Sequence, residues 1–420
     1  MKVFKFGGAS ISTIERIQNV ANIIQPYKGQ PLLIIISAMG KTTNGLEKVV
    51  DAFFEGRKDD ALKLFEQVKQ QHLTLLKYLV TINWQQAEAQ LKDFFTEVEW
   101  LLHDKPVREY DYYYDQIVCS GELMSTSIVS HYLNEAGINN KWVDVRDILR
   151  TDDNFRDAKV DMNFTQKKIA SNILPLFKET NIVITQGFIG ATDENESTTL
   201  GREGSDYSAA IFANMLDAES QTIWKDVEGV MNADPKEFAD AVFIPALSFD
   251  EVIEMAYYGA QVIHPKTIKP LQNKNIPLHV RCFLKPALPG TIISSKAVHN
   301  LPPIIVVKQK QVLLTLESKD FSFVGEQYVS DLYELFGTSK VKPNLVQTGA
   351  ISILCCLDDR SDKIEKLALA ASSIFDVQVE KDLSLLTIRH YTKEKFDELT
   401  AGKKILLTQR TTSTIQALMQ

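Results

Sequence analysis

The sequence is poor in cysteine, in long apolar runs and in clustered basic residues, and each shortage excludes a class of protein. Only four of the 420 residues are cysteine, and none forms a CxxC spacing, so a disulfide scaffold is not expected. The longest strongly apolar stretch, residues 31–39, is too short to span a bilayer. With a net charge of −8 and no dense Lys/Arg cluster, the chain is not expected to bind nucleic acid. We therefore expect a cytoplasmic protein with reduced thiols and no membrane partner.

What the sequence does contain is an alternation of short apolar runs and helical patterns. A length of 420 residues predicts two or three domains. In the N-terminal part, strands are predicted at 3–6, 32–36, 142–145, 182–185 and 221–224. The run at 32–36 is continuously apolar, which is typical of a strand buried on both faces of a parallel sheet. The alternation predicts an α/β domain on a mainly parallel sheet, with helical residues 46–103 as an insertion covering it.

A second domain is predicted after a proline-rich loop at 285–290. We place the catalytic part at residues 1–298 and a smaller region at 299–420. In that region strands are predicted at 312–316, 341–346, 351–357 and 383–388, and helices at 325–336 and from 362 onward. This order predicts two ββαβ-like units, an arrangement that would suit ligand sensing. The second unit is expected to be shortened.

The first candidate for chemistry is the turn at Lys5–Ser10, KFGGAS. Gly7 and Gly8 lie between a strand and a helix start, where backbone N–H groups and the helix dipole favour phosphate oxygens. Lys5 at the strand end would add a fixed positive charge. The residues alone do not distinguish this phosphate-binding turn from a tight structural turn.

Two further loops combine residue types that suit anionic ligands. Thr198–Tyr207 brings two glycines, a cation, hydroxyl groups and a carboxylate to the start of a predicted helix. Trp224–Lys236 follows a predicted strand and carries lysines that could contact phosphates and aspartates that could orient a nucleotide. As isolated charges, the side chains of the second loop could equally be solvated. No Ser/His/Asp or Cys/His set is evident.

Six ordered motifs together resemble those of the aspartokinases, within the amino-acid-kinase superfamily, along nearly the whole chain. They are KFGGAS at 5–10, SGE at 120–122, QGF at 186–188, TLGREGSDY at 199–207, the segment 224–235, and EMAYYGA at 254–260 followed by His264-Pro265. The resemblance implies an αβα sandwich with a mainly parallel sheet, followed by α+β regulatory units of the ACT type. It also implies ATP-dependent formation of 4-phospho-L-aspartate, the first step towards lysine, threonine and methionine.

The resemblance also implies a role for particular residues. The catalytic pair would be Lys5 and Asp206, and the phosphate-binding residues Gly7, Gly8 and Ser10. Thr43, Glu122, Phe188 and Arg202 would surround L-aspartate, and Lys225, Asp226, Met231 and Lys236 would bind the nucleotide. The cofactor would be ATP with Mg²⁺, and no protein metal site is expected. Lysine or threonine could act as feedback ligand, and the ACT units would form a homodimer or a higher homo-oligomer.

Several positions depart from the family pattern. Glu203 replaces a common glycine beside the predicted anion site, Gln261 a frequent lysine, and Met231 a frequent tyrosine. The loop 321–327 and Thr348–Ala350 differ from lysine-responsive relatives, so loss or alteration of lysine feedback is a hypothesis. Two rival functions stay open: a related kinase acting on glutamate or acetylglutamate, and a catalytically silent amino-acid sensor.

Overall fold

The computed structural model describes residues 1–320 and 322–420, and it contains both strands and helices throughout. Phe321, within the loop 321–327 discussed above, lies outside the described residues. The strands are β1 (Lys2–Phe6), β2 (Leu32–Ile36), β3 (Lys141–Trp142), β4 (Ile182–Gln186), β5 (Ile189–Ala191), β6 (Ser197–Thr199), β7 (Ser220–Lys225), β8 (Val230–Met231), β9 (Phe243–Ile244), β10 (Ala246–Ser248), β11 (Leu278–Cys282), β12 (Thr291–Ser294), β13 (Ile304–Ser318), β14 (Pro343–Thr348), β15 (Ser352–Asp358), β16 (Phe375–Arg389), β17 (Ile405–Arg410) and β18 (Thr414–Met419). The helices are α1 (Ile14–Ile24), α2 (Thr42–Phe54), α3 (Lys58–Leu79), α4 (Trp84–His103), α5 (Tyr110–Val118), α6 (Ser120–Glu135), α7 (Met162–Lys168), α8 (Gly204–Met215), α9 (Phe249–Tyr258), α10 (Pro265–Asn273), α11 (Glu326–Thr338), α12 (Ser361–Ala371) and α13 (Lys393–Thr400).

The chain divides into two compact units, and the first contains residues 1–230, 243–253 and 262–298. Its centre is an eight-stranded sheet in the order β10-β12-β11-β7-β1-β2-β4-β3. The run from β11 to β3 is parallel, and only the β11–β12 pairing is antiparallel. Every residue of β2 is buried, as its continuous apolar sequence predicts for a central parallel strand. The predicted mainly parallel sheet is confirmed.

Helices pack on this sheet and on each other. α8 contacts β1, β2 and β7, whereas α6 contacts β2, β3 and β4. The predicted helical insertion forms α2, α3 and α4, and both α3 and α4 pack on α6. The insertion therefore covers the sheet through an intervening helix. Within the described residues, no helix combines the length and apolarity needed to cross a membrane.

One predicted strand was too long. Of residues 142–145, only Trp142 belongs to a strand, β3, and the chain then enters a tight helical turn at Val145–Asp147. The turn begins at Asp144, whose carboxylate accepts the backbone N–H of Arg146 at 2.9 Å. A local side-chain bond of this kind ends a strand that apolar alternation alone would continue.

The second unit contains residues 231–242, 254–261 and 299–420. Its sheet has the order β14-β15-β13-β16-β18-β17, and all pairings are antiparallel. One core lies between α11, α12 and the sheet, and another between α13 and residues of β16 and β18. The strands and helices predicted after residue 312 are confirmed. β13 and β16 are paired at the centre of the sheet, and each is 15 residues long. The division at 298/299 stays a prediction.

Candidate active site

The predicted motifs meet at one edge of the large sheet. β1, β2, β4 and β7 are parallel and in register, so their carboxyl ends lie together. Ligands of open α/β sheets bind at this edge. A cavity of about 610 Å³ opens there, which is enough for a small metabolite with part of a nucleotide. Its lining residues are Lys5, Gly8, Ala9, Ser37, Ala38, Gly40, Thr43, Tyr114, Glu122, Arg156, Phe188, Thr199, Gly201–Asp206 and Lys225.

A buried ion pair joins two of the predicted residues. Lys5 Nζ lies 2.7 Å from Asp206 Oδ1, and the side chains are 12% and 4% exposed. Burial acts to raise the pKa of Asp206, but the charges of Lys5 and Lys225 outweigh it and hold that pKa below its usual value. Asp206 is therefore ionised at neutral pH and orients Lys5. The two lysines leave a net positive charge in the cavity, which favours phosphate.

The turn after β1 brings two stretches of backbone unusually close. A Cβ on Gly8 would lie 2.5 Å from the carbonyl oxygen of Ala38. Gly40 N–H donates to the carbonyl of Gly8 at 3.0 Å, which joins the turn to the loop after β2. The close approach of the Ala38 backbone therefore requires glycine at position 8, whether or not the turn binds phosphate.

Ser10 and Gly7, which were predicted to bind phosphate, do not face the cavity as Gly8 does. Ser10 is fully buried, and its hydroxyl donates to the carbonyl of Gly7 at 2.6 Å. The side chain of Ser10 therefore stabilises the turn, and this bond does not support the phosphate contact predicted for it. Neither Gly7 nor Ser10 lines the cavity.

Glu122 presents an unusual carboxyl group to the cavity. It lies in the first turn of α6, is 2% exposed, and accepts the backbone N–H of Ala38 through Oε1 at 3.2 Å. Its Oε2 is buried and has no hydrogen-bond partner among the described residues. Burial raises the pKa of Glu122 to about 8, although the bond from Ala38 partly opposes this. Such a group is suited to a ligand cation, whose charge would favour the ionised carboxylate.

The loop before α8 contains Arg202 and the departure at Glu203. Arg202 is exposed at the cavity rim. Glu203 has a left-handed backbone with φ 55°, a conformation that glycine adopts readily and that other residues adopt with strain. Its Oε2 accepts the backbone N–H of His264 at 2.8 Å, at the start of α10. The negative charge of Glu203 is thus engaged by a helix N-terminus, where it is stabilised.

Thr43 and Phe188 complete the predicted acceptor site, since both line the cavity. Thr43 lies in the first turn of α2. Phe188 follows β4 with a left-handed φ of 73°. Its backbone is held from both sides, because its N–H donates to Ser208 Oγ and its carbonyl accepts from Leu200 N–H. Four segments distant in sequence therefore contribute the predicted acceptor residues.

The predicted nucleotide residues belong to both compact units. Lys225 ends β7, lines the cavity and donates through Nζ to the carbonyl of Val262 at 2.9 Å. Asp226 is exposed and does not line the cavity. Met231 and Lys236 belong to the second unit, where Met231 ends β8 and Lys236 is exposed. Lys225 therefore lines the same cavity as Lys5 and Asp206.

Sequence reasoning missed a group of residues centred on Asp115. Asp115 is buried in α5 and accepts the backbone N–H groups of Arg156 and Thr199 at 2.9 and 2.8 Å, and the Thr199 hydroxyl at 2.7 Å. Burial raises the pKa of Asp115 to about 7 against these bonds. Arg156, Thr199 and Tyr114 all line the cavity. Thr199 begins the motif at 199–207, but no motif marked Tyr114, Asp115 or Arg156, because an aromatic run and single charged residues resemble ordinary core and surface residues.

Comparison with known proteins links this geometry to a family. A model described as the amino acid kinase family matches residues 1–282. Lysine-sensitive aspartokinase 3 of Escherichia coli (strain K12) is 29% identical over 396 residues, which cover 92% of this chain and 86% of that protein. The crystal structure of E. coli aspartokinase III with aspartate and ADP (R-state) superposes with a TM-score of 0.83 at 27% identity, covering 100% of this chain and 96% of that one. The complex of the same enzyme with lysine and aspartate (T-state) gives 0.81 at 26% identity, with 100% and 95% covered. The predicted fold class is confirmed.

Proposed function

The chain belongs to the amino acid kinase family. On this premise we propose how its residues carry out the reaction of an ATP-dependent aspartate kinase. It transfers the γ-phosphoryl group of ATP to the side-chain carboxylate of L-aspartate, giving 4-phospho-L-aspartate and ADP, the first step towards lysine, threonine and methionine. The observation that carries the proposal is the single cavity in which the Lys5–Asp206 ion pair and the Glu122 carboxyl both lie. That cavity offers positive charge that can stabilise a phosphoryl group, and a carboxyl group that can bind the ammonium of an amino acid.

The reaction needs charge neutralisation more than proton transfer. The acceptor carboxylate has an ordinary pKa of about 4 and is ionised at neutral pH, so no general base is required. One of its oxygens attacks the γ-phosphorus, the bond from phosphorus to the bridging oxygen breaks, and ADP leaves with that electron pair. Lys5 stabilises the charge on the transferring group, and Asp206 holds the Lys5 ammonium in place.

The acceptor is held by its two other charged groups. Glu122, whose buried Oε2 has no hydrogen-bond partner in the described part of the chain, binds the ammonium of aspartate. Arg202 at the rim binds the α-carboxylate, since a guanidinium can form two parallel hydrogen bonds with it. Thr43 and Phe188 form the walls of the acceptor site. Phosphate oxygens are bound by the backbone at Gly7 and Gly8, with Ser10 supporting the turn.

The nucleotide is proposed to lie beside Lys225, the assigned residue of that set which lines the cavity. Asp226, Met231 and Lys236 stay proposals that rest on the motif alone. Among the described residues, no group of three or more His, Cys, Asp or Glu side chains could hold a metal. We propose that a Mg²⁺ ion bound with ATP would be held mainly by phosphate oxygens and water and would neutralise phosphate charge.

The proposal is tested by direct assay of the purified chain. ADP release is measured with ATP, Mg²⁺ and L-aspartate, and the acyl phosphate is trapped with hydroxylamine. L-glutamate and N-acetylglutamate are the alternative acceptors. Both keep a side-chain carboxylate on a longer side chain, and N-acetylglutamate also has a blocked amino group. We expect turnover with aspartate and at least about a hundredfold lower kcat/KM with either alternative, because the cavity positions the reacting oxygen through the ammonium. Preference for an alternative acceptor, or no ATP turnover at all, would reject the assignment.

Regulation and assembly are separate proposals. We propose that the second unit binds a feedback amino acid, lysine or threonine, and that the chain forms homodimers or higher homo-oligomers through this unit. The E. coli relative is named lysine-sensitive, but Thr348–Ala350 departs from the pattern of lysine-responsive relatives. Titrating each amino acid against initial rate separates the cases, and we expect lysine inhibition to be weak or absent. Strong inhibition at micromolar lysine would show that this departure does not remove lysine binding.

A further inference from the structure

Arg156 occupies a backbone conformation that its side chain does not favour. Its φ is 68°, in the left-handed region, where residues with a Cβ are strained. Its backbone N–H donates to Asp115 Oδ2 at 2.9 Å, and Asp115 is itself buried. The conformation is therefore held by a buried carboxylate. The fold maintains a strained position and places an arginine there, beside the cavity.

The guanidinium of Arg156 is held by contacts that are easily exchanged. It lies 4.2 Å from the ring centre of Tyr114, another residue of the cavity wall. Its charged partners are Asp111 at 3.1 Å and Glu47 at 3.9 Å, and their side chains are 55% and 43% exposed. Ion pairs with such exposed carboxylates contribute little, because water competes for both groups. An anionic ligand in the cavity can replace them at small cost.

The backbone of Arg156 adjoins the loop that carries Arg202. A Cβ on Gly201 would lie 3.1 Å from the carbonyl oxygen of Arg156 and 2.8 Å from Asp157 Oδ1. Lys266 at the start of α10 pairs with Asp157, and the same helix start binds Glu203 through His264 N–H. The segment at 156–157 and the loop at 201–203 are therefore packed against each other, and both are bound by the start of α10.

We propose that Arg156 is a second guanidinium of the acceptor site, and that together with Arg202 it binds the α-carboxylate of the substrate. This rests on the proposed function. An α-amino acid with an acidic side chain brings two carboxylates and one ammonium. Lys5 and Lys225 serve the phosphoryl end, and Glu122 serves the ammonium, so the second carboxylate meets Arg156 and Arg202. Arg156 thereby selects for substrates with a free α-carboxylate.

Two variants at this position separate the side chain from the backbone. Arg156→Gly removes the guanidinium and relieves the left-handed strain, whereas Arg156→Ala removes the guanidinium and keeps the strain. Arg108→Ala is a matched control, because Arg108 stacks on Tyr112, pairs with Glu196 and is 43% exposed, against 41% for Arg156. Arg108 does not line the cavity described above. Arg156→Lys keeps the charge without the planar fork.

The proposal predicts a change in one Michaelis constant. Arg156→Gly and Arg156→Ala raise the aspartate KM about tenfold or more, the loss expected for one charge-assisted hydrogen bond. The ATP KM stays within a factor of about two, since neither phosphate nor nucleotide contacts change. Arg156→Lys recovers part of the loss. A purely structural role would instead lower the melting temperature of the Arg156→Ala variant and leave the aspartate KM of the Arg156→Gly variant unchanged.

A change on the ligand side tests the contact itself. The α-amide of L-aspartate keeps the acceptor carboxylate and the ammonium but lacks the α-carboxylate charge. Its affinity, measured by titration calorimetry, should hardly change between the unaltered chain and Arg156→Gly, whereas that of aspartate should fall about tenfold. Equal losses for both ligands, or no loss for aspartate, would overturn the proposal. Because calorimetry needs no turnover, it still tests Arg156 if the unaltered chain lacks kinase activity, in which case the proposed function alone fails.

Discussion

Replacing Glu122 with glutamine should stabilise the ligand-free protein and weaken aspartate binding at the same time. Glu122 is buried, one of its oxygens has no partner among the described residues, and its pKa is raised by burial to about 8. Glutamine has the same shape, cannot ionise, and its amide oxygen can still accept the N–H of Ala38. The variant therefore removes one property of the side chain, its ability to carry negative charge.

The stability effect follows from the pKa of Glu122. Between its ordinary value of 4.5 and about 8, the unfolded chain has lost this proton while the folded chain keeps it. Stability contributed by the group is complete below pH 4.5 and is lost as pH rises towards 8. The slope approaches about 1.4 kcal/mol per pH unit, and the total over this range reaches roughly 5 kcal/mol. Glu122→Gln lacks this dependence, so its advantage in stability grows with pH.

The functional effect has the opposite sign. A charge-assisted hydrogen bond to the substrate ammonium is worth about 2–3 kcal/mol, so its loss raises the aspartate KM about 30- to 160-fold. In the unaltered chain, aspartate binding at pH 7 must also ionise Glu122. Binding therefore releases close to one proton, which calorimetry in buffers of different ionisation enthalpy detects. Glu122→Gln should release none.

Scanning calorimetry at pH 5, 6, 7 and 8 provides the stability test. The difference in melting temperature between Glu122→Gln and the unaltered chain should widen by about 2–4 °C per pH unit. The aspartate KM is measured at saturating ATP, with the ATP KM as internal control. The reasoning is refuted if the difference in melting temperature does not depend on pH, or if the variant binds aspartate as the unaltered chain does.

Two further predictions concern the phosphoryl end of the cavity. Lys5→Ala should lower kcat at least about a hundredfold, because it removes the charge held by Asp206, and near-normal turnover in the ATP- and aspartate-dependent assay would contradict the assignment. Gly8→Ala should lower kcat by about a hundredfold or more, because its Cβ would lie 2.5 Å from the carbonyl oxygen of Ala38. Gly7→Ala is the comparison variant with a much smaller expected loss, since its Cβ would lie 3.4 Å from Lys5 Nζ, an ordinary van der Waals distance, and its φ is −80°. Equal losses in the two variants would show that backbone approach at Gly8 is not decisive.

At the start of α1, the local sequence pattern predicts the helix but not the residue that caps it. Ser12 and Glu15 have the spacing of a capping box, but the helix cap is Thr13, whose hydroxyl accepts Arg16 N–H at 3.3 Å. The helix itself follows from the sequence, because Ile14, Ile17, Ala21 and Ile24 recur at helical spacing, and α1 spans Ile14–Ile24. Neighbouring Ser and Thr residues offer nearly equivalent caps, and here the Ser12 hydroxyl instead donates to the carbonyl of Ala9 at 3.2 Å.

Residues in contiguous motifs could be predicted, and residues joined only by folding could not. Lys5, Gly8, Glu122, Arg202 and Asp206 belong to motifs whose composition already suits an anionic substrate, and the cavity contains all of them. Within the segment 224–236, residues 224–230 belong to the first compact unit and residues 231–236 to the second, and its assignment to the nucleotide stays a prediction. A linear motif carries no information about which part of the fold each of its residues joins.

By itself the sequence determined the parallel sheet, the strand-to-helix turn at Gly7 and Gly8 and the family, because periodicity, glycine placement and ordered motifs are local properties of the chain. Tertiary structure alone decided the protonation of Glu122 and the direction of Glu203, since burial and distant N–H groups set both. It also decided that Arg156 lies at the cavity, strained and held by Asp115 across 41 positions of sequence. Desolvation, close approach and long-range hydrogen bonds exist only after the chain has folded, so no sequence pattern could reveal them.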